Sequence, residues 1–331
     1  MNPMKSSRTF SLPENLNTWI QSQLGTAKPK DIAVAILKMS DFYNENPFEQ
    51  TPWNEKWCQQ AQIGYFLPLN FLRSMAVAKE ASQVGFPLKG LPLVDFGSGL
   101  GAGHLPWSQK FGLPLFLHER SSQALRLNQD LLQKLGNDKP EILQEIEMLN
   151  LPGFTAMFSY SLTELQELPD WALKADNLIL IEPSTRDDGR KLLGLRDQLI
   201  QKKYSIWAPC PHQSDCPLLT KSKTDWCHDR IHLEMPTWFS EIEKHLPMKN
   251  RTITFSYILA SRKPAPKTEQ WRLIGDSLEE KGKTRQMVCR NSEREFLAWM
   301  HRNGEPPEWP RGILIDPPAD FEIKSNELRL K

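Results

Sequence analysis

Val94-Asp95-Phe96-Gly97-Ser98-Gly99-Leu100-Gly101-Ala102-Gly103 closes a short apolar run, Leu91 to Phe96, and opens a helical segment. Glycines at alternate positions let the backbone turn tightly and approach a ligand that a side chain would hold off. A dinucleotide fold prefers G-x-G-x-x-G, which sets a pyrophosphate over a helix N-terminus. Here the spacing is G-x-G-x-G with an acid two residues ahead of it. That variant suits S-adenosylmethionine (SAM), which has no pyrophosphate. Glu119 follows the next apolar run, Leu115 to His118, where a carboxylate accepts hydrogen bonds from ribose hydroxyls. The candidate cofactor residues are Asp95, Gly97, Ser98, Gly99, Gly101 and Glu119, and the competing reading is a tight turn without a ligand.

On either side of this turn the pattern is that of a doubly wound α/β sheet, short apolar runs alternating with amphipathic helices. Strands are expected at Leu91 to Phe96, Leu115 to His118, Thr155 to Tyr160 and Leu178 to Ile181, with helices at about Ser121 to Leu135 and Arg186 to Gln201. Tyr204 to Ala208 and the alternating run Thr252 to Leu259 complete the sheet as an antiparallel pair. Upstream, Leu16, Trp19, Ile20 and Leu24 before Gly25, then Ile32, Ile36, Met39 and Phe42, then Phe71, Met75 and Ala78, mark three helices. Trp53 and Trp57 between them read as core or interface residues. The expected organisation is a helical module over 1–88, a Rossmann-like domain over 89–263 with a Cys-rich insertion at 209–235, and a small β-rich module over 264–331 after the linker KPAPKTEQ.

Cys210, Cys216, Cys227 and Cys289 are separated by five, ten and 61 residues. The first three lie in APCPHQSDCPL and DWCHDR, the fourth in MVCR. The N-terminal stretch MNPMKSSRTFSLPENL lacks an apolar leader core and no run of about 18 apolar residues occurs, so a cytoplasmic protein without membrane contact is expected. In that compartment clustered cysteines serve metal or redox chemistry more often than disulfides. Structural zinc draws on paired C-x2-C or C-x4-C knuckles, which are absent. Widely spaced thiolates on irregular loops suit a [4Fe-4S] cluster. Zinc, with His212 or His228 replacing a cysteine, and plain buried thiols stay open. The fifth cysteine, Cys58, reads as a buried thiol on a helix flank.

Net charge is +1, so a polyanionic partner must be met locally. Lys244 to Arg294 holds 12 Lys/Arg against 5 Asp/Glu, and Arg251, Arg262, Lys263, Arg272, Arg285 and Arg290 with Trp271 fit phosphate contact and base stacking. The loop after the fourth strand, Phe158-Ser159-Tyr160-Ser161-Leu162-Thr163-Glu164, has neither the Asp/Asn-Pro-Pro-aromatic acceptor of base-nitrogen methylation nor a cysteine nucleophile.

YFLPLNFLR, VDFGSGLGAG, LILIEPST, APCPHQSDCPL with DWCHDR, FSYILASR and VCR together resemble the ribosomal small-subunit-associated, methyltransferase-like family, over about Tyr65 to Cys289. The resemblance implies a class I SAM-methyltransferase fold, association with the small ribosomal subunit and its rRNA, and a [4Fe-4S] cluster on Cys210, Cys216, Cys227 and Cys289. Two functional classes follow: an rRNA-binding assembly factor, and an active SAM-dependent rRNA methyltransferase.

Overall fold

Every residue of the strand Asn177–Glu182 is buried, as an apolar run covered on both faces requires. The computed structural model describes residues 8–46, 49–165 and 167–330. Residues 1–7, which open the stretch read for a leader, lie outside them. The main sheet is built from β1 (Thr9–Ser11), β2 (Leu93–Phe96), β3 (Leu115–His118), β4 (Glu141–Ile142), β5 (Thr155–Ser159), β6 (Asn177–Glu182), β7 (Ser205–Ala208), β8 (Asp229–Glu234) and β9 (Thr252–Ser261). Their order is β1-β8-β9-β6-β5-β2-β3-β4, with β7 also on β9. β4, β3, β2, β5 and β6 are mutually parallel. β9 lies antiparallel to β6 on one side and to β7 and β8 on the other. A parallel sheet whose last strand inserts antiparallel beside β6 is the class I SAM-methyltransferase fold.

The period-two alternation of strands divides the core. Ile179 and Ile181 of β6 and Phe255, Tyr257 and Leu259 of β9 point to one face, while Leu178, Leu180, Ile258 and Ala260 point to the other. The first face is covered by α1 (Glu14–Leu24), α2 (Pro29–Glu45) and α3 (Lys56–Ala61), which runs through a π-turn at Gln62–Phe66 into α4 (Leu67–Gln83). Leu16, Ile20, Ile36 and Met39 share one continuous core with Met157 and Ile179, so the N-terminal helices form a layer of the sheet domain. They join α5 (Leu105–Phe111) and α6 (Ser122–Lys134). The second face is covered by α7 (Arg186–Gln201) through Leu192 and Leu199.

The sheet edge corrects one expectation. The cysteine stretch does not simply link the last two strands: β7 pairs with Leu259 to Ser261 of β9, and β8 with Thr252 to Phe255. One strand position is thus shared by two segments, and the irregular part of the insertion is 209–228 with the short α8 (Pro217–Thr220). β8 itself lies inside the expected 209–235 insertion, and α9 (Thr237–Glu243) separates it from β9. The alternation that marks β8 is short, Ile231 buried between the half-buried Arg230 and His232, and the cysteine segment beside it obscures the pattern. β1 pairs parallel with β8, a long-range pairing no local signal announces.

The C-terminal chain forms a second sheet from β10 (Trp271–Leu273), β11 (Leu278–Glu280), β12 (Lys283–Cys289), β13 (Glu295–Met300), β14 (Leu314–Ile315), β15 (Phe321–Lys324) and β16 (Glu327–Leu330). Its order is β14-β10-β12-β13-β16-β15, with β11 on β12. It has its own small core of Trp271, Leu273, Val288, Leu297, Ile315, Leu328 and Leu330.

Candidate cofactor site and cysteine centre

The glycine turn leaves β2 with Gly97, Gly99 and Gly101 at φ of 68°, 47° and 91°, a region that L side chains rarely adopt. A cavity of about 300 Å³ opens over it, at the lower bound of the roughly 300–1,000 Å³ of small-molecule sites. Asp95, Gly97, Ser98, Gly99 and Glu119 line it, and Gly101 lies behind. A Cβ on Gly101 would sit 2.9 Å from His104 Nε2 and 3.2 Å from Asn128 Oδ1, so packing as well as conformation demands glycine there.

Glu119 is already engaged. Its Oε2 accepts from the Gly99 N–H at 2.9 Å and its Oε1 from the Ser121 N–H at 2.8 Å. The carboxylate thereby ties the turn to the start of α6, and its remaining lone pairs face the cavity. Asp95 is 1% exposed and its Oδ2 pairs with His104 Nδ1 at 2.8 Å. Burial pushes the Asp95 carboxyl above its usual range, partly offset by His104. Asp95 Oδ1, Ser98 Oγ, His104 Nε2, Asn128 Oδ1, Ser161 Oγ and Glu182 Oε2 are buried around the turn without hydrogen-bond partners. Such atoms are costly unless something bonds them. Of these residues Asp95 and Ser98 line the cavity, where a polar ligand could bond them; the others lie behind the turn.

Sequence reasoning missed the roof. Tyr43 of α2, Thr51 and Trp53 of the connection to α3, and Gln62 of the π-turn line the same cavity, and the position of a Cβ on Gly99 is 3.7 Å from the Trp53 ring. Gln62 Nε2 donates to the Tyr43 hydroxyl at 2.7 Å, and burial pushes that phenol up to about 12. The tryptophan in TPWNEKW was the available signal. Tyr160, at the acceptor side, holds φ 61° and lines the cavity with Ser159 and Glu164. Burial and Glu119 push the Glu164 carboxyl up, while Arg120 lowers it. A larger cavity, about 540 Å³, lies between α4, β7 to β9 and the chain near Arg272, reaching Cys210 and Pro211 but not the glycine turn.

The four cysteines lie near one another on the β7 to β9 side of the sheet. Cys216, Cys227 and Cys289 pack with Leu193, Leu218, Trp226 and Ile274, and Cys210 with Cys227 lines the small cavity beneath, along α7. Burial raises the Cys289 thiol, and Cys210, Cys227 and Cys216 each raise it further. Cys216 is pushed up to about 11 by burial and by Cys210. Cys227 is raised by the same two causes. Unliganded, these thiols hold their protons; a cation bound to them would reverse that preference. Cys289 Sγ lies 3.3 Å from His212 Nε2. Burial, then Arg196, lowers His212 to about 4, so the imidazole is neutral. His228 is likewise lowered to about 4 by burial and Arg311. Among the described residues no three His, Cys, Asp or Glu side chains close on a single metal ion.

α7 holds the cysteine loops from below. Arg190 Nη1 donates to the carbonyls of Leu218 and Asp225 at 3.0 and 2.8 Å. Arg196, 1% exposed, donates to the carbonyls of Ser214 and His212 at 2.6 and 2.8 Å. Its Nε has no partner. Burial opposes its charge, but Cys210 and Asp197 more than restore it, which places a fixed cation beside a thiol set. Cys58 is fully buried in α3, and burial pushes it up to about 12.

The basic stretch needs correction. Arg272 is 2% exposed and bonded to Glu80 and Asp229. Arg285 pairs with Glu280 at 2.6 Å, and Arg290 with Glu295 at 2.7 Å. Trp271 is buried under Arg290. These groups brace the second sheet instead of facing a polyanion: Arg272 through carboxylates distant in sequence, Arg285 and Arg290 through carboxylates on or beside neighbouring strands of their own sheet. Arg251, Arg262 and Lys263 remain exposed.

The strand order and the glycine turn make this a protein of the class I SAM-methyltransferase fold. A family model described as mitochondrial small ribosomal subunit Rsm22 matches residues 71–301. The chain belongs to that family. It is also similar to the Homo sapiens protein named ribosome assembly protein METTL17, mitochondrial, at 29% identity over 39% of this chain and 34% of that one. The match therefore spans about a third of that curated relative. Among solved structures, a putative RNA methyltransferase from Pyrococcus horikoshii is 12% identical, with 57% of this chain and 83% of that one covered at a TM-score of 0.37. Magnesium protoporphyrin IX methyltransferase from Synechocystis PCC 6803 is 14% identical, with 69% and 100% covered at a TM-score of 0.36. The fold assignment rests on the strand order itself. Among the described residues no helix is long and apolar enough to cross a membrane.

Proposed function

We propose that this protein is an assembly factor of the small ribosomal subunit that binds its rRNA, uses a SAM-binding turn, and holds a [4Fe-4S] cluster on Cys210, Cys216, Cys227 and Cys289. The observation that carries the reading is the family match over residues 71–301, which contains both the glycine turn and all four cysteines. The relative named as a ribosome assembly protein points the same way. The cysteine centre fits a thiolate-bound cluster through its donor set, its burial and the Arg196 cation beside it. Such a cluster supplies a covalent cross-link and a one-electron redox centre. In either role α7 fixes the loops, and Cys289 joins the second sheet to them. The test is co-sedimentation of the tagged chain with small-subunit particles and sequencing of RNA cross-linked to it. Sedimentation only as free protein, with no small-subunit rRNA recovered, overturns the reading.

The methyltransferase alternative rests on the intact turn at Gly97, Gly99 and Gly101 and on Glu119 beside the cavity. Gly101→Ala is expected to weaken SAM binding at least tenfold by calorimetric titration, because the new methyl meets His104. It should also destabilise the fold by about 1–3 kcal/mol for a side chain at positive φ. Gly194→Ala, in a helix interior with open space around it, should leave SAM binding unchanged and raise stability by up to about 1 kcal/mol. Identical rRNA modification maps with and without the gene would remove methyl transfer and leave SAM binding structural.

A further inference from the structure

Five cations without an ion pair among the described residues stand together at the end of the sheet opposite the glycine turn. Because β9 runs antiparallel, its last residue, Ser261, pairs with Asn177 at the start of β6 and with Ser205 at the start of β7. Arg262 and Lys263 therefore leave the sheet at the N-terminal ends of its parallel strands. Lys174, just before β6, and Lys202 and Lys203, between α7 and β7, join them there, and all five are exposed. The rim is ordered from within. The Tyr204 hydroxyl donates to the carbonyls of Leu173 and Ala175 at 3.2 and 2.7 Å. Arg262 Nη2 donates to the Leu173 carbonyl at 2.6 Å, and its guanidinium lies 4.5 Å from the centre of the Tyr204 ring. The Trp207 indole donates to the Lys263 carbonyl at 3.1 Å.

None of the five forms an ion pair among the described residues. The carboxylate at this rim, Asp176, is half-buried and accepts from the Phe154 N–H. The contrast with Arg272, Arg285 and Arg290 is chemical. Those have carboxylate partners, whereas this rim carries lysine point charges and one guanidinium held in place by a carbonyl and a ring.

We propose that this rim is where the protein grips the phosphate backbone of RNA, an inference that rests on the rRNA-binding reading above. Spaced ammonium groups without base-reading geometry suit phosphates, whose neutralisation releases counterions and sets affinity. The location has a consequence. A five-residue strand rises about 17 Å, and the glycine turn stands at its far end. A nucleotide held at this rim is not the one presented to the SAM pocket, so docking and any methyl acceptor site are separate places.

The test uses the full chain, with binding to a single-stranded fragment of small-subunit rRNA measured across a salt series. A Lys174→Glu, Lys202→Glu, Lys263→Glu variant should bind at least tenfold more weakly. The slope of log affinity against log salt should shrink by about 2, from roughly 0.7 per phosphate contact on single strands. The thermal midpoint and SAM titration should be unchanged. A control with Arg251→Glu, Lys281→Glu and Arg302→Glu, exposed cations elsewhere, should bind like the parent. Equal loss in the control, or an unaltered slope in the rim variant, overturns the assignment while leaving rRNA binding intact. A parent chain that binds no rRNA sinks both readings, and rim-dependent binding to phosphatidylserine vesicles in place of RNA does the same.

Discussion

Arg272→Ala should lower the free energy of unfolding by about 3–5 kcal/mol, the usual cost of removing one partner from a buried ionic network. The guanidinium is 2% exposed and serves three elements at once. Nη1 donates to Glu80 Oε1 of α4 at 2.8 Å, and Nη2 to Asp229 Oδ2 of β8 at 2.9 Å and to the Tyr257 hydroxyl of β9 at 2.8 Å. Arg272 itself belongs to β10, so these bonds fasten the second sheet to the first. Truncation leaves Glu80 and Asp229 facing each other in a site 13% and 6% exposed. Arg8, 3.0 Å from Asp229, is then the nearest remaining cation. Lysine should not rescue, because one ammonium cannot reproduce the fork. Arg272→Met combined with Glu80→Gln and Asp229→Asn should recover part of the loss, since a neutral set avoids the stranded charges.

The same network fixes an acid response. Burial alone would raise Asp229, but Arg8 and Arg272 pull it below the ordinary carboxylate range. A depressed folded pKa gives stability that is present above the ordinary carboxylate value of about 3.9 and is lost as pH falls through the lowered one. In the Arg272 variant that pull weakens, so acid unfolding should begin at higher pH than in the parent. Circular dichroism against pH at fixed ionic strength measures the difference. Coincident curves would show that Arg8 alone holds Asp229.

Legibility followed the range of the interaction. The glycine turn, the strands Leu115–His118 and Asn177–Glu182 and the helix Arg186–Gln201 lay open to reading because period and turn chemistry act over a few residues. Cys210 and Cys216 were visible for the same reason. β1, which pairs with β8 across most of the chain, was not. The pairing of Arg272 was hidden because charge is local in sequence and pairing is not: Glu80 and Asp229 neutralise it only after folding, whereas Glu280 and Glu295, the partners of Arg285 and Arg290, stand nearby in the sequence. Trp53 reads as a core or interface residue, yet its place over Gly99 comes from a contact between segments far apart in the chain. The cysteine grouping was legible as spacing, whereas Arg196, the cation beneath it, had only the helical pattern of α7 to announce it.

Cys289→Ser should have the widest effect of any single exchange. Cys289 is the last residue of β12, while Cys210, Cys216 and Cys227 lie in the 209–228 insertion, so a group bound by all four is a strap between two sheets. Anaerobically purified parent protein is expected to carry about four iron and four sulfide per chain, as a [4Fe-4S] centre requires, and the variant less than one. The stability cost should reach several kcal/mol, since the free energy of forming a thiolate-metal site, about 10–16 kcal/mol for structural zinc, is spent largely on holding the fold. Proteolysis should then attack the chain beyond Arg262 first, because with the strap gone the second sheet is held mainly by the Arg272 network and its neighbours. Cys58→Ala should retain full iron, as its thiol is buried in α3 away from the group. Parent protein with one zinc and no sulfide would replace the cluster by an ion. Parent protein with no metal at all, and a Cys289→Ser variant as stable as the parent, would reduce the four cysteines to packed thiols, with Arg196 balanced by Asp197 alone.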